Sequence, residues 1–347
     1  MRIVVHEHFS SRPRGAAPED LRRAGRAMRD AIAADLRALP GVEVRVPRLP
    51  RAAHRSRAAL GRAVERALLA ADAAFFIAPE TDGILKDLVA PPRPGRTMLV
   101  SGPRAVAIAA DKRATFKLLR RAGIATPPTR VVPRGAAGPR RLARERLPLV
   151  LKPRDGCGAA GVGVVRRPAD CAPALRRARA AAGRADVIAQ PFIEGIPIGV
   201  ALVARAGFRG RAAAGGLCVL GVSLQALRGR VCLEYVGGAA PVRGRHARVA
   251  ERAALCAAAA LQRAAGDLRG PVGVDLVLTP RGPVVIEINP RLTTSFIGLR
   301  TLARTNPARH LQDGAAGRPL PARAALSGAC RFEAGGRVRR LRRASLR

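Results

Sequence analysis

The chain has 347 residues, long for one compact domain and more in keeping with two or three subdomains. Apolar residues make up 48%, enough for a sizeable core, but aromatics are only 3% and Trp is absent, so that core must be built from Leu, Val, Ile and Ala. The formal charge of +39 would attract nucleic acid or anionic membrane, yet no run of about 18 uncharged apolar residues occurs, which excludes an apolar spanning helix.

Residues 2–5 form a β-branched run and predict a first strand. The stretch before and after it, Met1 to His8, is too short and polar for a signal peptide, and a cytoplasmic protein is expected. Residues 18–39 carry helical spacing, with Glu19 and Asp20 suited to the first turn and Gly41 beyond the end. A strand over 42–46, a helix over 56–71 and a buried strand over 73–78 follow. Pro79 to Gly83 is a loop, then come another helix and a strand over 97–101. This β-α-β alternation predicts a parallel sheet covered by helices, in which ligands bind at the C-terminal strand ends. Glu80 and Asp82 sit at such a position. They suit either an ammonium-binding role or a helix cap.

From about Ser101 the pattern changes. Residues 111–122 are helical, and a loop rich in Pro, Gly and Arg spans 133–141. Two β-rich pieces over 149–152 and 161–165 flank a Gly-rich segment, 155–163. A helix over 172–182 and a strand over 187–190 precede Pro191 to Gly195. Residues 197–300 read as strands, with a helix at 245–265 and two strands at 272–279 and 283–288 joined by a turn at 279–282. The segment 316–347 is basic and reads as irregular, with disorder expected over 338–347. No internal repeat occurs.

The six cysteines lack C-x-x-C spacing and a companion His cluster, so they read as reduced thiols. Cys157 falls in the Gly-rich segment, where a small residue suffices. Only Lys86, Lys112, Lys117 and Lys152 are lysine among 63 basic residues. The arginines are spread along the chain and not interleaved with aromatics, as a GC-rich coding bias would leave them. A nucleic-acid partner is therefore not expected, although a basic nucleic-acid-binding protein is the competing reading of the charge. Against this background rare residue types stand out: Asn occurs only at Asn289 and Asn306.

The strongest constellation is Asp275 on one strand with Glu287 and Asn289 on the next. Period-two alternation puts Glu287 and Asn289 on one face, and pairing through the 279–282 turn brings Asp275 near it. Two carboxylates and an amide oxygen suit magnesium, and both acids lie within apolar runs where unpaired charge is costly. Solvated acids on an ordinary hairpin are the plainer alternative. His6 and His8 alternate at the end of the first strand, facing either a substrate or solvent; Glu7 and Ser10 are similar.

Gly273-Val274-Asp275 followed by Glu287-Ile288-Asn289-Pro290-Arg291 resembles the metal signature of the ATP-grasp superfamily. The resemblance implies an α/β (α+β) fold with three parts: an N-terminal parallel-sheet subdomain over 1–105, a central subdomain over 106–195 and a C-terminal subdomain over 196–312, with a basic tail over 313–347. It implies Asp275, Glu287 and Asn289 as ligands of one or two magnesium ions, or manganese in their place, bridging the phosphates of ATP. Arg291 would then stabilise the transferring phosphate. Lys112 resembles the family's first nucleotide lysine and Lys152 the second. The Gly-rich segment with Gly156, Gly158 and Gly161 resembles the loop that closes over phosphates. Gln190, Phe192, Ile193 and Glu194 resemble the adenine-binding hinge. Two positions depart from the pattern: Pro197 where a ribose-binding Glu is common, and Gly273 where peptide-forming members can carry an arginine, a role open to Arg243, Arg245 or Arg291.

Ala78 to Leu85, Tyr235 to Pro241 and Asn289 to Leu299 resemble the tyramine–glutamate ligase family of methanofuran biosynthesis. That likeness implies ligation of a small-molecule carboxylate to an amine through an acyl phosphate. An ATP-grasp ligase for another amino acid, peptide or cofactor precursor is equally compatible with the superfamily motif, and a homo-oligomer is compatible with both.

Overall fold

The computed structural model describes residues 1–91, 93–135, 137–210 and 215–341. Its first part alternates strand and helix: β1 (Arg2–Glu7), a short α1 (His8–Ser11), α2 (Glu19–Arg37), β2 (Glu43–Arg45), α3 (Arg57–Leu68), β3 (Ala73–Ile77), α4 (Ile84–Val89) and β4 (Thr97–Met98). All three pairings of the resulting sheet, ordered β2-β1-β3-β4, are parallel. Met28, Ile32 and Leu36 recur every four residues on α2 and are buried against it. Ser56 caps α3 by accepting from Ala59 N at 3.1 Å.

Helices α5 (Pro103–Ala110) and α6 (Lys112–Arg121) lead out of this sheet. A second sheet follows from β5 (Arg130–Val131), α7 (Ala137–Leu142), β6 (Leu149–Pro153), β7 (Gly163–Val165), α8 (Cys171–Ala182) and β8 (Val187–Pro191). Its order is β5-β8-β6-β7, and every pairing is antiparallel.

The third sheet is built from β9 (Ile196–Ala204), β10 (Leu217–Arg228), β11 (Glu234–Ala240), β12 (Gly270–Thr279) and β13 (Gly282–Asn289), with α9 (Gly244–Ala265) inserted before β12. Helices α10 (Ser295–Leu302) and α11 (Pro307–Ala315) then precede β14 (Ala329–Glu333) and β15 (Val338–Leu341). The seven antiparallel strands run β13-β12-β9-β10-β11-β14-β15. The tail expected to be irregular thus supplies two edge strands, Cys330 and Phe332 being buried on the core face. Alternation there is hidden in sequence because Arg331 and Arg339 face outward while Arg340, opposite Cys330 on the other face, is also arginine, all indistinguishable from the arginine background. Of the stretch expected to be disordered, 338–341 is strand and 342–347 lies outside the described residues.

One core joins Ile3, Val5 and Phe75 of the parallel sheet to Phe296, Leu299, Leu311 and Phe332 beside the seven-stranded sheet. A second fills the space between that sheet and α9, whose inner face is almost all alanine. Short side chains let α9 lie close over β12 and β13, which fixes the hairpin from behind. A third core lies between the small sheet and α8. Among the described residues no helix is long and apolar enough to cross a membrane.

Candidate active site

The β12–β13 hairpin places Asp275 directly opposite Glu287 and Gly273 opposite Asn289. The register shifts between Asp275 and Leu276, a bulge at the point where the two acids turn into the interior. Asp275 is held from both sides: Gln225 Nε2 on β10 donates to its Oδ1 at 2.6 Å, and Asn289 Nδ2 donates to its Oδ2 at 2.9 Å. Asn289 Oδ1 faces Arg291 Nη2 at 3.5 Å.

Two lysines approach the acids. Asp111 caps α6 by accepting from Arg113 N and Ala114 N, which sets Lys112 as the first helical residue. Arg154 binds the same carboxylate at 2.8 and 2.5 Å and ties the cap to β6. Lys112 Nζ then donates to the Gly156 carbonyl at 2.5 Å and lies 3.5 Å from Glu287 Oε2. Lys152 on β6 is 5% exposed, and burial pulls its ammonium down to about 8 although Glu287 and Asp275 oppose that.

The electrostatics of the acid pair are asymmetric. Burial and the facing Glu287 push the Asp275 carboxyl up. Burial also pushes Glu287 up, but Lys112 and Lys152 outweigh it and hold that carboxyl down. Two facing, half-buried carboxylates are a donor set suited to a hard divalent cation. Asp275, Glu287 and the oxygen of Asn289 are the atoms that would hold it.

These groups line one end of a cavity of about 440 Å³. The other end is apolar, with Val150, Phe192, Ile193, Leu227, Leu233 and Leu276. Gly156, Cys157, Gly158, Ala159 and Ala160 roof it. Gly158 and Ala159 both have positive φ, 62° and 61°, so the roof turns sharply there. Thr81 Oγ1 donates to the Asp155 carbonyl at 3.4 Å, and Asp82 N donates to Asp155 Oδ2 at 3.0 Å. The loop after β3 therefore docks on the glycine-rich roof.

The cavity takes in some of the expected residues and leaves out others. Gly161 does not line the cavity; it packs against Pro153 and Ala181, and a side chain there would collide with them. Glu194 lies in the connection between β8 and β9, exposed and outside the lining. Arg243 and Arg245 are also exposed and outside it, whereas Arg291 is inside. Gln190 reaches the cavity, with its amide donating to Thr129 Oγ1 at 2.7 Å. His6 and His8 do not line it. Glu80 pairs with Arg291. Burial pushes the Cys157 thiol up, the reverse of what a nucleophile needs. Gly273 has no room for an arginine side chain, since its first carbon would meet the Thr293 methyl. Sequence reading missed Gln225 and Ser223. Their signal was alternation on one β10 face, Ser223, Gln225, Leu227, and the scarcity of Gln in this chain.

Comparison with known proteins agrees with this geometry. The ATP-grasp domain family matches residues 109–295, more than half of the chain. A putative ATP-grasp superfamily protein from Archaeoglobus fulgidus superposes with a TM-score of 0.62 at 22% identity, covering 96% of this chain and 92% of that one. N5-carboxyaminoimidazole synthetase from Staphylococcus aureus, complexed with ADP, gives a TM-score of 0.67 at 12% identity over 96% and 81%. L-amino acid ligase from Bacillus licheniformis gives 0.61 at 18% over 95% and 78%. No curated protein sequence matches the chain. These identities speak for the fold, while the family match spans the lysines, the glycine-rich roof and the acid hairpin together: the chain belongs to the ATP-grasp family.

Proposed function

We propose that the protein is an ATP-dependent carboxylate–amine ligase. The observation that carries this reading is the facing of Asp275 and Glu287 beside Lys112 and Lys152 at the polar end of one cavity. The apolar end suits adenine, with the backbone of Gln190 to Ile193 along its edge. Lys112 and Lys152 offset phosphate charge, and the segments 106–195 and 196–312 hold the nucleotide between them. A divalent cation at Asp275, Glu287 and Asn289 would supply Lewis-acid charge neutralisation of the phosphates.

The substrate carboxylate attacks the γ-phosphorus in line, forming an acyl phosphate and releasing ADP. An amine then attacks the acyl carbon, loses a proton and expels inorganic phosphate. Arg291 lies where it can stabilise the charge on the transferring group, and the 156–160 roof keeps water from the acyl phosphate. Catalysis rests on positioning and charge, without a protein nucleophile. Biotin carboxylase, N5-carboxyaminoimidazole synthetase and L-amino acid ligase structures share the fold, so the carboxylate and amine need separate support. The segments 78–85, 235–241 and 289–299 favour glutamate and tyramine. In line with this, Tyr235, Thr293, Thr294 and Ser295 all border the cavity.

The test is ADP release from ATP and magnesium with glutamate, tyramine, both, or neither. Release that requires both substrates and disappears in Glu287→Gln supports the reading. Release indifferent to the amine contradicts the ligase assignment. Turnover only with another acid and amine contradicts the glutamate–tyramine pair and keeps the ligase.

A further inference from the structure

At the C-terminal end of β1 a group of polar side chains is buried without partners. Glu7 is not among them: its carboxylate accepts from Phe9 N at 2.9 Å and Ser10 N at 2.5 Å, and it packs against Gly25 on α2. His6 points to the opposite face and stacks edge-on against Phe76, with ring centroids 6.4 Å apart. Among the described residues, nine buried side-chain nitrogen or oxygen atoms have no hydrogen-bond partner. Five of them belong to His6 (both ring nitrogens), His8 Nδ1, His54 Nε2 and Arg12 Nε. His54 comes from the turn Arg51–His54 after β2. Arg12 Nη1 lies 3.5 Å from His8 Nε2, its only side-chain hydrogen-bond contact among the described residues. Such concentration is unusual, because buried polar groups are nearly always paired.

The chemistry of these atoms narrows the occupant. Among the described residues no group of three or more His, Cys, Asp or Glu is arranged to hold a metal ion, so a tris-imidazole metal site is ruled out there. What remains is a cluster of unpaired polar atoms rich in donors. The guanidinium can only donate, and each imidazole donates once when neutral and twice when protonated. The charged and titratable groups there are His6, His8, His54 and Arg12, with Arg22 and Arg29 reaching in from α2: Arg22 Nη1 donates to the Phe9, Arg12 and Pro13 carbonyls and Arg29 Nη1 to Ser10 Oγ, while Glu7 is spent on its own cap. His6 and His8 are buried, and Arg12 and His54 are half-buried. The end of a parallel strand is also where open α/β sheets bind ligands.

We infer that His6, His8, His54 and Arg12 form a binding site for the anionic group of a small acid, separate from the residues that line the nucleotide cavity. The ligand supplies the acceptors these donors lack. Arg12 fixes its charge, and the imidazoles donate to the remaining oxygens. This site does not depend on the ligase reading, since none of the four residues belongs to the cavity.

Binding has a proton signature. In the free protein burial holds His6 at about 3 and His8 at about 4, with neighbouring cationic groups adding to the effect. A bound anion favours the protonated imidazole, so binding takes up protons and tightens as pH falls toward those values.

The experiment is isothermal titration calorimetry of the full chain, free of nucleotide, with glutamate, succinate and inorganic phosphate. Titrations are run in two buffers of different ionisation enthalpy, on wild type, Arg12→Gln and His54→Leu. The expected result is saturable binding of at least one probe, proton uptake between buffers, and roughly tenfold weaker binding in each variant, as expected for losing a charge-assisted hydrogen bond. ATP titrates all three proteins alike. Binding of the two carboxylates alone identifies an organic acid, and binding of phosphate alone a phosphate ester. Absence of binding by every probe overturns the proposal and leaves ordered water as the partner of these atoms. Binding unaffected by both substitutions overturns it as well. His54 and Arg12 are half-exposed, so neither variant endangers the fold, and the ATP titration reports on that directly.

Discussion

Arg291 Nε donates to Glu80 Oε1 at 2.8 Å across 211 residues of sequence, with both side chains largely out of solvent. Burial alone would pull the guanidinium down, but Glu80 reverses this and raises it, so Arg291 stays charged. The loop after β3 thereby fixes Arg291 at the polar end of the cavity. The same loop docks on the roof through Thr81 and Asp82. Glu80→Ala leaves a buried cation unpaired and is expected to destabilise the fold by about 3–5 kcal/mol. Glu80→Gln keeps the shape, and is expected to lower the ADP-release rate at least about tenfold with a smaller loss in melting temperature. Thermal melts and steady-state rates on both variants check this.

Asp275 gives a stability prediction with a definite sign. Its carboxyl is raised in the folded protein by burial and by Glu287. The folded state therefore holds a proton that the unfolded chain has released. Metal-free stability is lost as pH rises from the ordinary carboxylate range through the raised value. Asp275→Asn removes that proton site. The melting temperature of the variant minus that of wild type should grow between pH 5 and 8 in chelator, and shrink with added magnesium. A difference independent of pH would contradict the buried acid pair.

Lys152 titrates in the opposite sense. Burial pulls it down to about 8 in the free protein. Its positive charge, and with it phosphate affinity, is lost as pH rises past that value. ATP binding should weaken several-fold between pH 7 and 9, and this dependence should flatten in Lys152→Arg, which stays charged. Equilibrium titration with a fluorescent nucleotide reads both.

Gly273 and Thr293 are predicted to be coupled. A methyl group at 273 meets the Thr293 methyl, so Gly273→Ala alone should cost about 1–3 kcal/mol of stability. Thr293→Ser removes the obstructing carbon, and the double variant should recover part of the loss. A double-mutant cycle by urea unfolding checks it; strict additivity would show that the two residues do not compete for space.

Much of the site was legible because its chemistry breaks the composition of the chain. Lysine is rare, and Lys112 and Lys152 both reach the cavity. The acids stood out as charges inside apolar runs, and hairpin pairing then put Asp275 opposite Glu287. Rarity was not sufficient, however. Asn306 is as rare as Asn289 yet caps α11 by accepting from Ala308 N at 2.9 Å, and donates to the Asp35 carbonyl at 2.6 Å. The parallel sheet was legible from alternation of strand and helix. Helix α5 was not, because Pro103 to Ala110 is short and carries little polar contrast between its faces. Strands β14 and β15 were hidden by arginine on both faces. The Glu80–Arg291 pair and the Gly273–Thr293 contact join segments distant in sequence, and no local pattern announces them.

The most direct test of the central claim follows oxygen. The carboxylate substrate is labelled with 18O and turned over with ATP, magnesium and the amine, and inorganic phosphate is analysed by mass spectrometry. Attack of the carboxylate on the γ-phosphorus leaves one labelled oxygen in each phosphate released when the amine expels it. Transfer of one 18O per amide formed, abolished in Glu287→Gln, is the predicted result. Amide formation with unlabelled phosphate would contradict an acyl phosphate and the role assigned to this cavity.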